Sequence, residues 1–140
     1  MSEEDALGRL TTRTLAMPSD TNAAGDIFGG WVLSQMDIAA GICAGQRAQG
    51  RVVTVAVESM SFIRAVKVGD ILGLYTHIAQ LGTTSMVVHV EAWVRRDRIG
   101  SREKVTEGRF KFVALDENGS PTPVPSADEL PDYAREVCQL

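Results

Sequence analysis

The sequence predicts an α+β fold in which a curved antiparallel sheet wraps one long central helix. Three observations carry that expectation. Residues from Gly29 to about Gln46 run mostly apolar and free of proline, four later stretches alternate β-branched residues, and short turns of Gly, Asp, Thr and Lys join them. Consecutive strands with tight connections pair antiparallel. A single helix that is apolar over most of its surface is satisfied only if the sheet curls round it.

The elements follow in order. Residues 1–8 form a loose acidic lead-in, and Arg9 to Met17 alternates weakly as a first strand. Pro18, Ser19, Asp20 and Asn22 make a turn that feeds the helix, which ends near Gln46 to Gly50. From Arg51 the period changes: RVVTVAVESMSFI sets Val53, Val55, Val57 and Ser59 against Thr54, Ala56, Glu58 and Met60. Strands are expected at Ile71 to Leu81, Ser85 to Arg96 and Val105 to Leu115. Their turns are AVKVGD, Gly82-Thr83-Thr84 and the charged RRDRIGSREK. Residues 9–116 thus read as one domain. Residues 117–140, with Pro121, Pro123, Pro125 and Pro131, read as an extended tail with a short helix around Asp132 to Val137.

Composition narrows the function. A net charge of −4 argues against a general nucleic-acid binder. Cys43 and Cys138 are too few and too far apart for a disulfide framework, and the acidic start shows no secretory signal, so a cytoplasmic setting is expected. Ser34, Gln35 and Asp37 interrupt the longest apolar segment, which is therefore no membrane span.

Asp37 is the one acid in that apolar run. On an ideal helix its face carries Gly30, Leu33, Ser34, Ala40, Gly41 and Ala44, while Val32, Met36, Ile42, Gln35 and Gln46 lie opposite. The small stripe admits a ligand or a second backbone, so a homodimer at least is expected. Gly29 and Gly30 at the helix start leave N–H groups that suit a negative charge. Gly30 and Asp37 share a face roughly 10 Å apart along the axis. The same pattern also suits a buried carboxylate bridging a dimer seam, Asn22 also suits a plain turn residue, and the glycines also suit close backbone packing.

The segments MPSDTNAAGDIFGGWVLSQMDIAAG and GRVVTVAVESMSFIRAVKVGD closely resemble the YciA-like acyl-CoA thioesterases of the hot-dog fold, from about Arg13 to Val113. The resemblance implies hydrolysis of acyl-CoA to free acid and CoA, by dimers that assemble further as trimers of dimers. It places the catalytic carboxylate on Asp37, the loop asparagine on Asn22 and the oxyanion-binding N–H on Gly30, with Gly29 beside it. The family's usual FIKP stands here as Phe62-Ile63-Arg64-Ala65, which keeps the positive charge in a different geometry.

Thioester hydrolysis needs a nucleophile and a place for charge on the carbonyl oxygen. Asp37 supplies the first, as general base or by direct attack, and the glycine helix start supplies the second. For the nucleotide end of CoA the candidates are Arg64, Lys67 and the turn Gly82-Thr83-Thr84-Ser85, each of which equally suits a solvated surface turn. No metal and no bound cofactor is expected, since His77 and His89 lack ligand spacing and read as surface or half-buried strand residues. The alternative is a non-catalytic acyl-CoA-binding or regulatory protein on the same fold. A dehydratase ranks last, because neither histidine lies near the helix start.

Overall fold

The computed structural model describes residues 5–137, so Met1 to Glu4 and Cys138 lie outside the described residues. The chain runs β1 (Arg9–Leu15), α1 (Gly29–Ala48), β2 (Val52–Phe62), β3 (Ile71–Leu81), β4 (Ser85–Arg95), β5 (Arg102–Ala114) and α2 (Asp132–Val137). The five strands form one sheet in the order β1-β3-β4-β5-β2, with every neighbouring pair antiparallel. This is the expected arrangement of one antiparallel sheet and one long helix.

The helix buries Val32, Met36, Ala39, Ala40, Cys43, Ala44 and Arg47. Four of these are small, so α1 lies close on the sheet. The bulk comes from the facing strands: Leu72, Leu74, Met86, Val88, Val90, Phe110 and Phe112 are all buried, each contributing about 1.5–3 kcal/mol by leaving water. The helical wheel read from sequence needs two changes. Ala40 and Ala44 belong to the core stripe rather than to the face of Asp37. Ile42 pairs instead with Ile38, one turn away, and both stay exposed.

Two features depart from a simple meander. The segment 63–70 is no hairpin turn: β2 pairs with β5 at one edge, whereas β3 lies between β1 and β4. The connection therefore crosses the end of the sheet beside the start of α1. There the Val66 carbonyl accepts the Ile27 N–H at 3.1 Å, and the Ala16 carbonyl accepts the Gly69 N–H at 2.9 Å. Second, β5 begins at Arg102, inside the stretch read as a charged turn. Its charges are satisfied on the outer face, where Arg102 donates to the Tyr75 hydroxyl at 2.8 Å and Lys104 pairs with Glu107 at 2.9 Å.

Residues beyond Ala114 fold back over the far end of the helix. Arg47 donates to the Pro125 carbonyl at 2.7 Å, the Val124 N–H reaches the Thr83 carbonyl at 2.8 Å, and Leu130 and Ala134 are buried.

On the outer face His77 and His89 stand directly opposite each other, with ring centroids 5.1 Å apart. His77 is only 4% exposed, more buried than its strand position suggested. Neither buried Nδ1 finds a hydrogen-bond partner among the described residues. Burial, and then the adjacent His89, push the His77 pKa below its ordinary 6.5. His77 therefore stays neutral in the fold while the unfolded chain takes up a proton as pH falls below 6.5. Stability is complete above that value and declines as pH falls toward the folded pKa. We predict a lower melting temperature at about pH 5.5 than at about pH 7.5, and a flatter profile between them for His77→Leu. Equal slopes for the two proteins in thermal melts would refute this.

Candidate active site

The helix start is built by the loop before it. Asn22 Oδ1 accepts the N–H groups of Ala24 at 2.9 Å and Asp26 at 3.1 Å. The Asn22 N–H in turn reaches the Asp26 carbonyl at 2.7 Å, closing a tight Asx turn. Phe28 sits at the N-cap and offers no side-chain hydrogen bond, so the first turn of α1 carries uncapped N–H groups. Gly29 faces the Phe62 ring, where an added Cβ would lie 3.7 Å from the nearest ring carbon. At Gly30 an added Cβ would meet nothing within 4 Å. Gly30 thus opens onto space.

That space is a cavity of about 300 Å³ lined by Gly30, Leu33, Ser34, Asp37, Thr54, Val57 and Phe110. It places the helix start and the carboxylate two turns on against one volume. Thr54 of β2 donates from Oγ1 to Asp37 Oδ1 at 2.7 Å. Thr54 and Val57 reach the same cavity although strict alternation puts them on opposite faces. The register shifts between Thr54 and Ala56, and this bulge brings both residues over Phe112 and Phe110 of β5. Sequence reasoning missed Thr54, which reads as one more β-branched strand residue. The signal was its hydroxyl within a run of valines.

The remaining candidates lie elsewhere. Asn22 does not line the cavity of its own protomer. Arg64 donates to the Lys104 carbonyl at 2.7 Å, and Lys67 pairs with Asp26, so both stand at the end of the molecule where α1 begins. The turn Gly82-Thr83-Thr84-Ser85 stands at the other end. Its Thr84 carbonyl accepts the Ala114 N–H at 2.9 Å, and next to it the Arg51 carbonyl accepts the Leu115 N–H at 2.8 Å. The 20-residue helix separates the two sets by about 30 Å within one protomer.

Among the described residues His89, Glu91 and Glu107 form a cluster of metal-ligand type. The Lys104 ammonium lies 2.9 Å from Glu107 and 3.4 Å from Glu91 and supplies the cation there. Its hydrogen bond holds the Glu107 carboxyl below the usual range.

Residues 24–101 match the thioesterase superfamily. Over 121 residues the chain is 54% identical to the acyl-CoA thioester hydrolase YciA of Escherichia coli strain K12, covering 84% of this chain and 92% of that one. An aspartate-to-alanine mutant of a hexameric broad-specificity acyl-coenzyme A thioesterase superposes with a TM-score of 0.85 at 47% identity, covering 93% of this chain and 94% of that one. A hexameric thioesterase from Yersinia pestis superposes with a TM-score of 0.82 at 50% identity, covering 85% and 97%.

Replacing Asn22 by alanine removes an acceptor shared by two backbone N–H groups. Urea melts should show Asn22→Ala less stable by about 1–3 kcal/mol, whereas Asn22→Asp, which keeps the oxygen, should stay close to the parent. Equal loss in both variants would refute the role of this oxygen in the turn.

Proposed function

This chain belongs to the thioesterase superfamily and, within it, to the YciA-like acyl-CoA thioester hydrolases, and from that premise we propose that it cleaves acyl-CoA in the cavity at the start of α1, with Asp37 as the acting carboxylate. The observation that carries this reading is the shared cavity. Gly30, at an uncapped helix start, and Asp37 face the same volume, and Thr54 holds one carboxylate oxygen.

In this mechanism the thioester carbonyl oxygen lies against the N–H of Gly30, with Gly29 beside it. The positive end of the helix dipole favours the charge that grows there. Asp37 then acts through Oδ2, either taking a proton from the attacking water or attacking the carbonyl carbon itself. The C–S bond breaks, CoA leaves as its thiol after protonation, and the acid is released. In the direct route, water afterwards opens the mixed anhydride. Leu33, Val57 and Phe110 give the cavity an apolar side that suits the acyl chain.

The site is completed by a second copy. The β2 edge supports this, since Val53, Val55 and Val57 are all exposed on a strand whose outer backbone edge has no neighbouring strand among the described residues. Pairing of two copies there would bring a partner's loop to the cavity, and we assign Asn22 of that loop to orient the water or the carboxylate. With hexameric relatives, a trimer of dimers is the assembly proposed. Arg64, Lys67 and the 82–85 turn are the proposed contacts for the CoA nucleotide. Because the two sets stand at opposite ends of one protomer, a single CoA would meet them from different copies. The reaction as written uses no metal and no bound cofactor. No helix among the described residues is long and apolar enough to cross a membrane, and we propose a cytoplasmic location.

Free-thiol release from acyl-CoA should fall by about 10²–10⁴-fold in Asp37→Ala and Asp37→Asn while both stay folded. Full turnover in a folded Asp37→Ala protein would overturn the assignment, and tight acyl-CoA binding without turnover in the parent would point to a binding protein. Thr54→Val should lower kcat by about tenfold and leave KM within about twofold, because it frees a catalytic oxygen without removing a substrate contact. An unchanged kcat would remove Thr54 from the mechanism.

A further inference from the structure

The crossing segment 63–70 ends on a buried acid. The side chain of Asp70 is only 3% exposed and forms an ion pair with Arg96 at 2.5 Å. Taking a charge so far out of water is unfavourable, and a buried ion pair contributes little net stability compared with an apolar pair of similar volume. The use of such a pair lies in the arrangement it imposes on its neighbours. We propose that Asp70 and Arg96 are positioning residues for thioester hydrolysis, which hold both ends of the loop before α1 and thereby set the helix start. The inference rests on the reading that the Gly30 N–H receives the thioester oxygen.

The backbone of Asp70 holds the beginning of that loop. Its carbonyl accepts the Ala16 N–H at 2.9 Å, and the Ala16 carbonyl accepts the Gly69 N–H at 2.9 Å. The end of the loop is held through residues 65–67. Arg96 Nη1 donates to Asp70 Oδ2 and also to the Ala65 carbonyl, the latter at 3.0 Å. Asp70 Oδ2 accepts the Lys67 N–H at 2.9 Å, and the Asp70 N–H returns to the Lys67 carbonyl at 3.1 Å. Val66, buried between these two gripped residues, gives its carbonyl to the Ile27 N–H at 3.1 Å. Ile27 immediately precedes the N-cap Phe28, after which come Gly29 and Gly30. One peptide unit and one hydrogen bond thus separate the grip of the ion pair from the loop that leads into the helix.

Arg96 is itself held for this task. Its Nε donates to Glu103 at 2.8 Å, which fixes the plane of the guanidinium. It reaches Asp70 and Ala65 from a turn in which Asp97 and Arg98 both have positive φ, at 50° and 67°. Neither is glycine, so this backbone is unfavourable and persists only where the surrounding contacts over-determine it. A donor that stabilises developing charge acts over a narrow range of distance. Displacing it by about 1 Å through a change far from the reaction costs up to about 10²-fold in rate.

The test compares Arg96→Met with the double variant Asp70→Asn/Arg96→Met, in thermal melts and in steady-state thiol release from acyl-CoA. The single variant leaves a buried carboxylate without its cation and should melt lower than the parent. The double variant carries no charge at either position and should recover most of that loss. In both, the hold on Ala65 is gone, so kcat should stay about tenfold or more below the parent with KM within about twofold. Recovery of kcat together with the melting temperature, parental kcat in the folded double variant, or a change confined to KM would each overturn the proposal. Asp37→Ala is assayed alongside. Turnover lost there but parental in the double variant rejects the positioning role alone, whereas full turnover in a folded Asp37→Ala protein rejects the site reading beneath it.

Discussion

The hydrogen bond from Thr54 to Asp37 ties the central helix to the edge strand of the sheet, and the candidate site depends on that join. Without it, Asp37 would be an acid on the open side of a helix with both oxygens free to turn. With it, one oxygen is fixed at 2.7 Å and the carboxylate faces the volume that Gly30 opens. The bond requires β2 to lie over the first half of α1. That in turn requires the bulge after Thr54 and the pairing of β2 with β5 rather than with β3.

The crossing segment 63–70 is the means to this end. It carries the chain from one edge of the sheet to its interior, and on the way it binds the loop before the helix through Val66 and Ile27. One stretch of chain therefore closes the fold and positions the helix start. The open face of α1, with Ile38 and Ile42 exposed, and the exposed valines of β2 remain apolar surface that a lone protomer leaves to water.

Much of the architecture was legible because its signals are local. The proline-free apolar run marked α1, the β-branched alternation marked four strands, and Asp37 stood out as one acid within the run. The pairing order was not legible, since short turns after each strand look alike whether the next strand is a neighbour or lies across the sheet. The bulge at β2 escaped for a related reason: alternation in sequence continues through it while the faces exchange. Thr54 was missed because its meaning comes from a residue 17 positions away, and the pairing of His77 with His89 because register across two strands has no sequence marker. The charged stretch read as a turn contains the start of β5, since alternating charges there serve a polar outer face rather than a loop.

Strand order also bears on how the chain is made. β2 has one partner in the sheet, β5, and residues 63–101 must be synthesised before β5 begins. At about 5–20 residues per second that leaves a valine-rich ribbon waiting on the ribosome for seconds, with neither edge paired. VVTVAV carries no charge and no proline to discourage self-association. Nascent chains of this protein are therefore most at risk of sticking to one another just before the last long strand emerges, and a chaperone that shields that ribbon would matter most in that interval.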